Sequence, residues 1–154
     1  MIILGLDPGL TRTGYGVVEK KRQGFVYKTS GIFKVTGQPT LPERLAFLEK
    51  EAEKVFWLIS PDRVGVEKIF FVKNVKTGLD VAQARGVLLA VAARRGTPVF
   101  EIAPTSVKTA IAGNGRAEKA AVAKMLRLLL GIKTKGMLDD ETDALAVAVA
   151  VSAF

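Results

Sequence analysis

The sequence predicts one α/β domain, built on a mixed five-stranded sheet with helices on its faces, and three observations lead to this prediction. The first 35 residues form three apolar or alternating segments joined by short turns, which is typical of an antiparallel meander. Helical periodicity starts at residue 41, and strands and helices alternate from there. With 154 residues, 49% of them hydrophobic, residues 1–154 can bury one substantial core and need no second domain.

The predicted elements follow one another in the order β-β-β-α-β-α-β-α-α-α. Strands are expected at residues 2–7, 13–20, 24–35, 63–67 and 98–102. Helices are expected at residues 41–59, 77–95, 105–111, 117–130 and 139–153. A strand that follows a crossover helix lies parallel to its sheet neighbour, so the last two strands should extend the meander in parallel. Functional residues in such sheets gather at the carboxyl ends of the strands.

The composition restricts the chemistry. The chain has no Cys and no His, which excludes disulfides, thiol nucleophiles, Cys/His zinc sites and Ser-His-Asp triads. The 23 Lys and Arg residues outnumber the 15 Asp and Glu residues, and the resulting charge of +8 favours a polyanionic partner. Because no apolar run reaches about 18 residues and no cleavable leader opens the chain, we expect a cytoplasmic protein without membrane attachment.

Four carboxylates stand where the predicted fold would bring them together. Asp7 ends the apolar strand 2–7, and Glu67 ends the strand 63–67. Asp140 and Asp143 are three residues apart, so they share one face of the last helix. A simpler interpretation of Asp7 is that Asp7-Pro8-Gly9 forms a β-turn.

A simpler interpretation also exists for the acids of the last helix. Asp139 would be its N-cap, and the acids after it would stabilise the helix N-terminus. That account explains Asp139 and Glu141. It explains Asp143 poorly, because this residue lies beyond the first turn and heads an apolar stripe.

Such a cluster of carboxylates predicts a metal site. Neighbouring carboxylates repel one another, and one or two hard cations with oxygen ligands, normally Mg²⁺ or Mn²⁺, relieve the repulsion. Two such ions can activate a water and stabilise the leaving oxygen of a phosphodiester. The residues thus favour a two-metal nuclease.

Several segments also resemble one known family. LGLDPGLTRTGYGVV, VGVEKIFFVKN, AQARGV, GNGRAEKAAV and DDETDALAVAVA occur in the order, and at roughly the spacing, of the RuvC family of Holliday junction resolvases. The resemblance covers nearly the whole chain. It implies a ribonuclease H-like fold with Asp7, Glu67, Asp140 and Asp143 as catalytic residues and metal ligands. The three-residue spacing of the motif favours Asp140 over Asp139.

The resemblance further implies how the protein works. It suggests a homodimer that binds four-way junction DNA and nicks two like strands symmetrically, in recombination and repair. Two Mg²⁺ ions per site, or Mn²⁺ in their place, would activate the water, leaving 5′-phosphate ends. The branch-migration proteins RuvA and RuvB are candidate partners.

Basic and aromatic residues around these motifs are candidate DNA contacts. Lys108 and Lys119 match basic residues that the family places near its active site, and Phe70 matches an aromatic residue that stacks on a base. Arg116 lies in a glycine-rich segment suited to phosphate. For the others the alternative is ordinary surface charge. The full set is Phe70, Lys73, Lys76, Arg85, Lys108, Arg116 and Lys119.

The helix at 77–95 is the predicted dimer contact. Small and apolar residues recur along it at helical spacing, at Leu79, Ala82, Gly86, Leu89 or Ala90, and Ala93. This stripe permits close approach of a second helix, although core packing would explain it too. A two-fold dimer would match the symmetry of a four-way junction.

Three other functions fit parts of the sequence. A YqgF-like nuclease acting on structured RNA would share the fold and the acids. A catalytically silent module would bind junctions without cutting them. An ATP-binding phosphotransferase shares the DxG strand start, but the small size and the lack of a second lobe disfavour it.

Overall fold

The sheet has the predicted mixed topology. Strands β1 (Ile2–Asp7), β2 (Arg12–Lys21) and β3 (Gly24–Lys34) form the antiparallel meander. Strands β4 (Arg63–Glu67) and β5 (Val99–Ile102) extend it in parallel beyond β1, giving the order β3-β2-β1-β4-β5. This computed structural model describes residues 1–69, 75–132 and 136–154, and only the backbone of residues 75–77.

Five helices lie against the sheet. They are α1 (Leu41–Ile59), α2 (Val75–Arg94), α3 (Pro104–Ala112), α4 (Lys119–Leu130) and α5 (Asp139–Val151). The prediction that α4 begins at residue 117 is wrong by two residues. A turn occupies its start, because the Asn114 side chain accepts a hydrogen bond from the Arg116 N–H at 2.9 Å. None of these five helices, taken over the described residues, is long and apolar enough to cross a membrane.

Helices α1 and α2 cover one face of the sheet with interlocking side chains. The side chains of β1 and β4 on that face are large and fully buried. They are Leu4, Leu6, Val64 and Val66. Helical spacing predicts an apolar stripe on α1 at Leu41, Leu45, Leu48, Ala52, Val55 and Leu58. The prediction is wrong for Leu58, which is 69% exposed, and Phe56 is buried in its place. The cause is spacing, since Phe56 continues the four-residue step from Leu48 and Ala52.

Helix α5 lies on the opposite face, directly against the sheet backbone. Four of the strand residues beneath it are glycines, namely Gly5, Gly14, Gly16 and Gly65. A Cβ on Gly5 would lie 2.0 Å from the Ala144 carbonyl oxygen and 2.5 Å from the Ala148 nitrogen. Helix α5 also carries small residues on this side, so its backbone packs directly on the backbone of the strands. This close approach sets where the N-terminus of α5 lies.

Candidate active site

The strand ends place Asp7 and Glu67 on the same side of the sheet. Gly5 and Gly65 are paired in the parallel ladder between β1 and β4, and both face α5. Side chains two residues apart on a strand point to the same face. Asp7 and Glu67 each follow one of these glycines by two residues, so both carboxylates emerge on the α5 side at the carboxyl end of their strand.

Helix α5 brings the other two carboxylates to this edge. It begins at Asp139, and Leu138 rather than Asp139 is the N-cap residue. The Glu141 side chain supports this first turn, because it accepts a hydrogen bond from the Leu138 N–H at 3.3 Å and another from the Ser30 hydroxyl at 2.7 Å. The turn lies so close to β2 that a Cβ on Gly14 would be 2.0 Å from the Asp140 carbonyl oxygen.

The charges of the other three carboxylates act on Asp7, which places all of them near this strand end. The pKa of Asp7 is raised to about 7 from 3.8, first by burial and then by the nearby charges of Asp143, Glu67 and Asp140. Burial and Asp143 likewise raise the pKa of Glu67. Lys119 opposes both shifts, and Lys108 opposes the second. Asp7 and Glu67 therefore cost free energy to ionise at this edge of the sheet.

Two basic side chains pair with the acids of α5. Lys119 Nζ lies 2.9 Å from Asp143 Oδ2 and 3.2 Å from Asp139 Oδ2. Arg12 Nε lies 3.3 Å from Asp140 Oδ2, a buried oxygen that accepts no properly oriented hydrogen bond from any residue in the described part of the chain. Over residues 1–69, 75–132 and 136–154, no three carboxylates form a ready-made metal-binding group. Two of the four acids have basic partners instead.

A cavity of about 220 Å³ opens beside this cluster, between β4 and helices α3, α4 and α5. Its polar lining consists of Glu67, Lys108, Lys119 and Asp143, and its walls are apolar. Two of the acids and two of the bases therefore line the same cavity. An anionic group entering this cavity would find both lysines in its lining.

The remaining predicted DNA contacts are more dispersed. Phe70 and Lys73 lie outside the described residues, and so does the side chain of Lys76. Arg116 is exposed in the turn before α4. Arg85 is 19% exposed and holds Glu101 of β5 at 2.5 Å. Contacts of these residues with DNA stay predictions.

Sequence reasoning missed Arg12 and the glycines under α5. Arg12 begins β2, and only the fold brings it to Asp140. The glycines carry a readable signal, since both carboxylate strands end in the same pattern of glycine, apolar residue and acid, at Gly5-Leu6-Asp7 and Gly65-Val66-Glu67. Such a repeat indicates a helix crossing the strand ends where acids emerge.

Known proteins share both the sequence and the fold. The family model described as crossover junction endodeoxyribonuclease RuvC matches residues 3–151. A relative of that description from Chloroflexus aggregans is 45% identical over 152 residues, covering 97% of this chain and 91% of the relative. Another, from Desulfitobacterium hafniense, is 42% identical over 149 residues, with 97% and 90% covered.

The solved structures agree with these relatives. RuvC of Thermus thermophilus in complex with a Holliday junction substrate matches with a TM-score of 0.92 and 33% identity, over 99% of this chain and 93% of the other. The yeast mitochondrial Holliday junction resolvase Ydc2, at 16% identity and a TM-score of 0.71, shares the fold. The expected ribonuclease H-like fold is confirmed. This chain belongs to the RuvC family of crossover junction endodeoxyribonucleases.

Proposed function

We propose that this protein resolves four-way DNA junctions by paired symmetric nicks, which leave 5′-phosphate and 3′-hydroxyl ends. Family membership supports the nuclease activity. A structural relative bound to a Holliday junction substrate supports four-way junction DNA as the substrate. The observation that carries the chemistry is the convergence of Asp7, Glu67 and Asp143 at one sheet edge, where burial and the charge of Asp143 raise the pKa of both Asp7 and Glu67. Such a cluster suits cations that bind phosphate.

The donor set fits Mg²⁺. All four candidate ligands are carboxylates, the oxygen donors that hard divalent cations prefer. Asp7 and Glu67 are largely buried among other acids, and Asp140 Oδ2 is buried without a hydrogen bond over the described residues. Asp7, Glu67, Asp140 and Asp143 would hold two Mg²⁺ ions, for which Mn²⁺ should substitute. When bound, the ions would supply an activated water and neutralise charge on the phosphodiester.

The lysines would position the scissile strand. Lys108 and Lys119 line the cavity beside Glu67 and Asp143, so a phosphate entering it would find both ammonium groups. Lys119 is already held by Asp143 at 2.9 Å, which keeps its charge at the site. Cations placed where negative charge develops stabilise the transition state.

A two-fold dimer would use the exposed side of α2. The core side of this helix carries Ala84, Leu88 and Val91. The predicted stripe lies elsewhere: Leu79 is 59% exposed, and a Cβ on Gly86 would meet nothing within 4 Å among the residues that the structure describes. This small-residue face would let a second copy approach closely, and a dimer would present two active sites to two like strands.

A substrate panel tests the proposal. The intact protein is incubated with Mg²⁺ and a labelled four-way junction, a matched duplex or a structured RNA. We expect paired nicks at symmetric positions of the junction only, abolished by EDTA. Preferred cutting of the RNA would support the YqgF-like alternative, and tight junction binding without nicks would make the protein a binding module. Either result contradicts the proposal.

A further inference from the structure

We propose that Arg12 acts as an exchangeable cation: it neutralises Asp140 while the site lacks metal, and it moves to a phosphate of the bound DNA when a divalent cation takes Asp140. This inference rests on the proposed function for its DNA step. Its metal step concerns the protein alone. Arg12 lies within the segment LGLDPGLTRTGYGVV, but it is not among the site residues predicted from the sequence.

Strand geometry places Arg12 beside the first turn of α5. Arg12 begins β2, and Gly14 follows it by two residues, so both lie on the same face. Gly14 faces the Asp140 backbone, which would be 2.0 Å from a Cβ at that position. Gly14 is also paired with Asp7 across the β1–β2 ladder. The Arg12 side chain therefore starts at the rim of the carboxylate cluster, next to the strand that carries Asp7.

The contact with Asp140 has the character of an ion pair that can be exchanged. A single nitrogen approaches a single oxygen at 3.3 Å, and the Arg12 side chain is 54% exposed. The oxygen gains no properly oriented hydrogen bond from it. Arg85 offers the contrast within the same chain, because it holds Glu101 at 2.5 Å and is much less exposed. Exposed, imperfect pairs contribute little free energy.

The Arg12–Asp140 ion pair lies at the carboxylate cluster, and this position determines its role. Asp140 needs a countercharge because its Oδ2 is buried and its helix turn lies over Gly14, the ladder partner of Asp7. A divalent cation meets the same need with more charge and competes with Arg12 for one carboxylate. Once displaced, the guanidinium remains at the rim of a site built for phosphodiesters. Guanidinium groups bind phosphate oxygens with two hydrogen bonds, so the released side chain has a better partner.

The metal step is tested without DNA, by calorimetric titration of Mn²⁺ into Arg12→Gln. The matched control is Arg22→Gln, which removes the same charge from the exposed hairpin at the other end of β2. We expect Arg12→Gln to bind Mn²⁺ about two- to fivefold more tightly than the wild type, as loss of an exposed competing ion pair predicts. Arg22→Gln should match the wild type. Equal or weaker Mn²⁺ binding by Arg12→Gln overturns the inference.

The DNA step is tested by measuring four-way junction affinity in Ca²⁺ at several salt concentrations. Arg12→Gln should lose one phosphate contact, which lowers the slope of log affinity against log salt by about 1. Arg12→Lys should restore the slope, and Arg22→Gln should keep it. An unchanged slope in Arg12→Gln overturns this step.

The two assays also separate this inference from the proposed function. If the wild type neither binds nor nicks junctions, the proposed function fails. The Mn²⁺ titration still decides whether Arg12 competes with metal. Matching circular dichroism spectra of Arg12→Gln and Arg22→Gln establish that both variants are folded.

Discussion

The two faces of the sheet are packed in opposite ways. Under α1 and α2 the strands carry Leu4, Leu6, Val64 and Val66, and large side chains fill the space between sheet and helices. Under α5 the same two strands carry glycines between these residues, and the helix backbone rests on the strand backbone. One face gains stability from buried apolar volume. The other face buries less side-chain volume, and α5 lies closer to the strands there.

This difference explains why the acids meet. A helix separated from the sheet by a layer of side chains would hold Asp140 and Asp143 farther from the strand ends. With α5 on the glycines, Asp143 is near enough to raise the pKa of both Asp7 and Glu67. The lesson is that the glycine face positions the site, while the side-chain face supplies ordinary core.

The largest effect should come from adding one methyl group to the glycine face. In Gly5→Ala the new Cβ would overlap backbone atoms of α5 at 2.0 and 2.5 Å, which cannot rotate away. We expect a loss of about 4 kcal/mol of unfolding free energy, measured by urea denaturation. Gly65→Ala should cost only about 1 kcal/mol, because its neighbours are side-chain methyl groups of Val147 and Val151.

Leu4→Ala is the matched variant on the other face. Cavity formation should destabilise it by about 2 to 5 kcal/mol. Its Mn²⁺ affinity, measured while folded, should stay at the wild-type value, whereas that of Gly5→Ala should fall. Equal metal affinities in these two variants would remove the distinction between the faces.

The next expected effect is a gain in stability rather than a loss. Asp7 is harder to ionise in the folded protein, where its pKa is about 7, than in the unfolded chain, at 3.8. Without metal, this carboxylate makes the wild type lose stability as the pH rises from about 4 to about 7, and the loss then stays constant. Asp7→Asn removes the loss, so at pH 8 it should be more stable than the wild type by about 2 to 3 kcal/mol.

Thermal melts in EDTA at pH 5 and pH 8 measure this difference. The gain in Asp7→Asn should be clearly smaller at pH 5 than at pH 8. Added Mn²⁺ should stabilise the wild type more than Asp7→Asn. A lower stability of Asp7→Asn at pH 8 would contradict burial of a charge at this position.

The smallest effect concerns the start of α1, on the side-chain face. Thr40 and Glu43 form a reciprocal capping box there. Thr40→Ala should lose about 1 kcal/mol of stability, measured by urea denaturation. Mn²⁺ affinity and nicking should not change, because α1 packs on the face away from the carboxylates. A large drop in nicking by folded Thr40→Ala would show that the two faces are coupled.

Much of this arrangement could be predicted from the sequence. The bounds of β1, β4 and α1 agree with prediction because an apolar strand ending in an acid, or a helix with a Thr-x-x-Glu start and a Ser-Pro end, is a local signal. The four acids were found for the same reason. Their residue types and spacing are visible in the chain.

The rest depends on contacts between distant segments. Arg12 reaches Asp140, and Ser30 reaches Glu141, only after α5 has crossed the sheet, so no local pattern reveals either pair. The N-cap of α5 at Leu138, where Asp139 was the alternative expectation, illustrates the same limit. Capping preference favours Asp, but the chain enters the helix one residue earlier and leaves Asp139 pointing to Lys119.

The most direct measurement of the central claim is junction nicking by single carboxylate variants in Mg²⁺. Asp7→Asn, Glu67→Gln, Asp140→Asn and Asp143→Asn, each verified as folded, should nick a synthetic four-way junction at least about 100-fold more slowly than the wild type. Asp139→Asn should nick at close to the wild-type rate. Normal nicking by any of the four, or loss of nicking in Asp139→Asn alone, would contradict the assignment of the site.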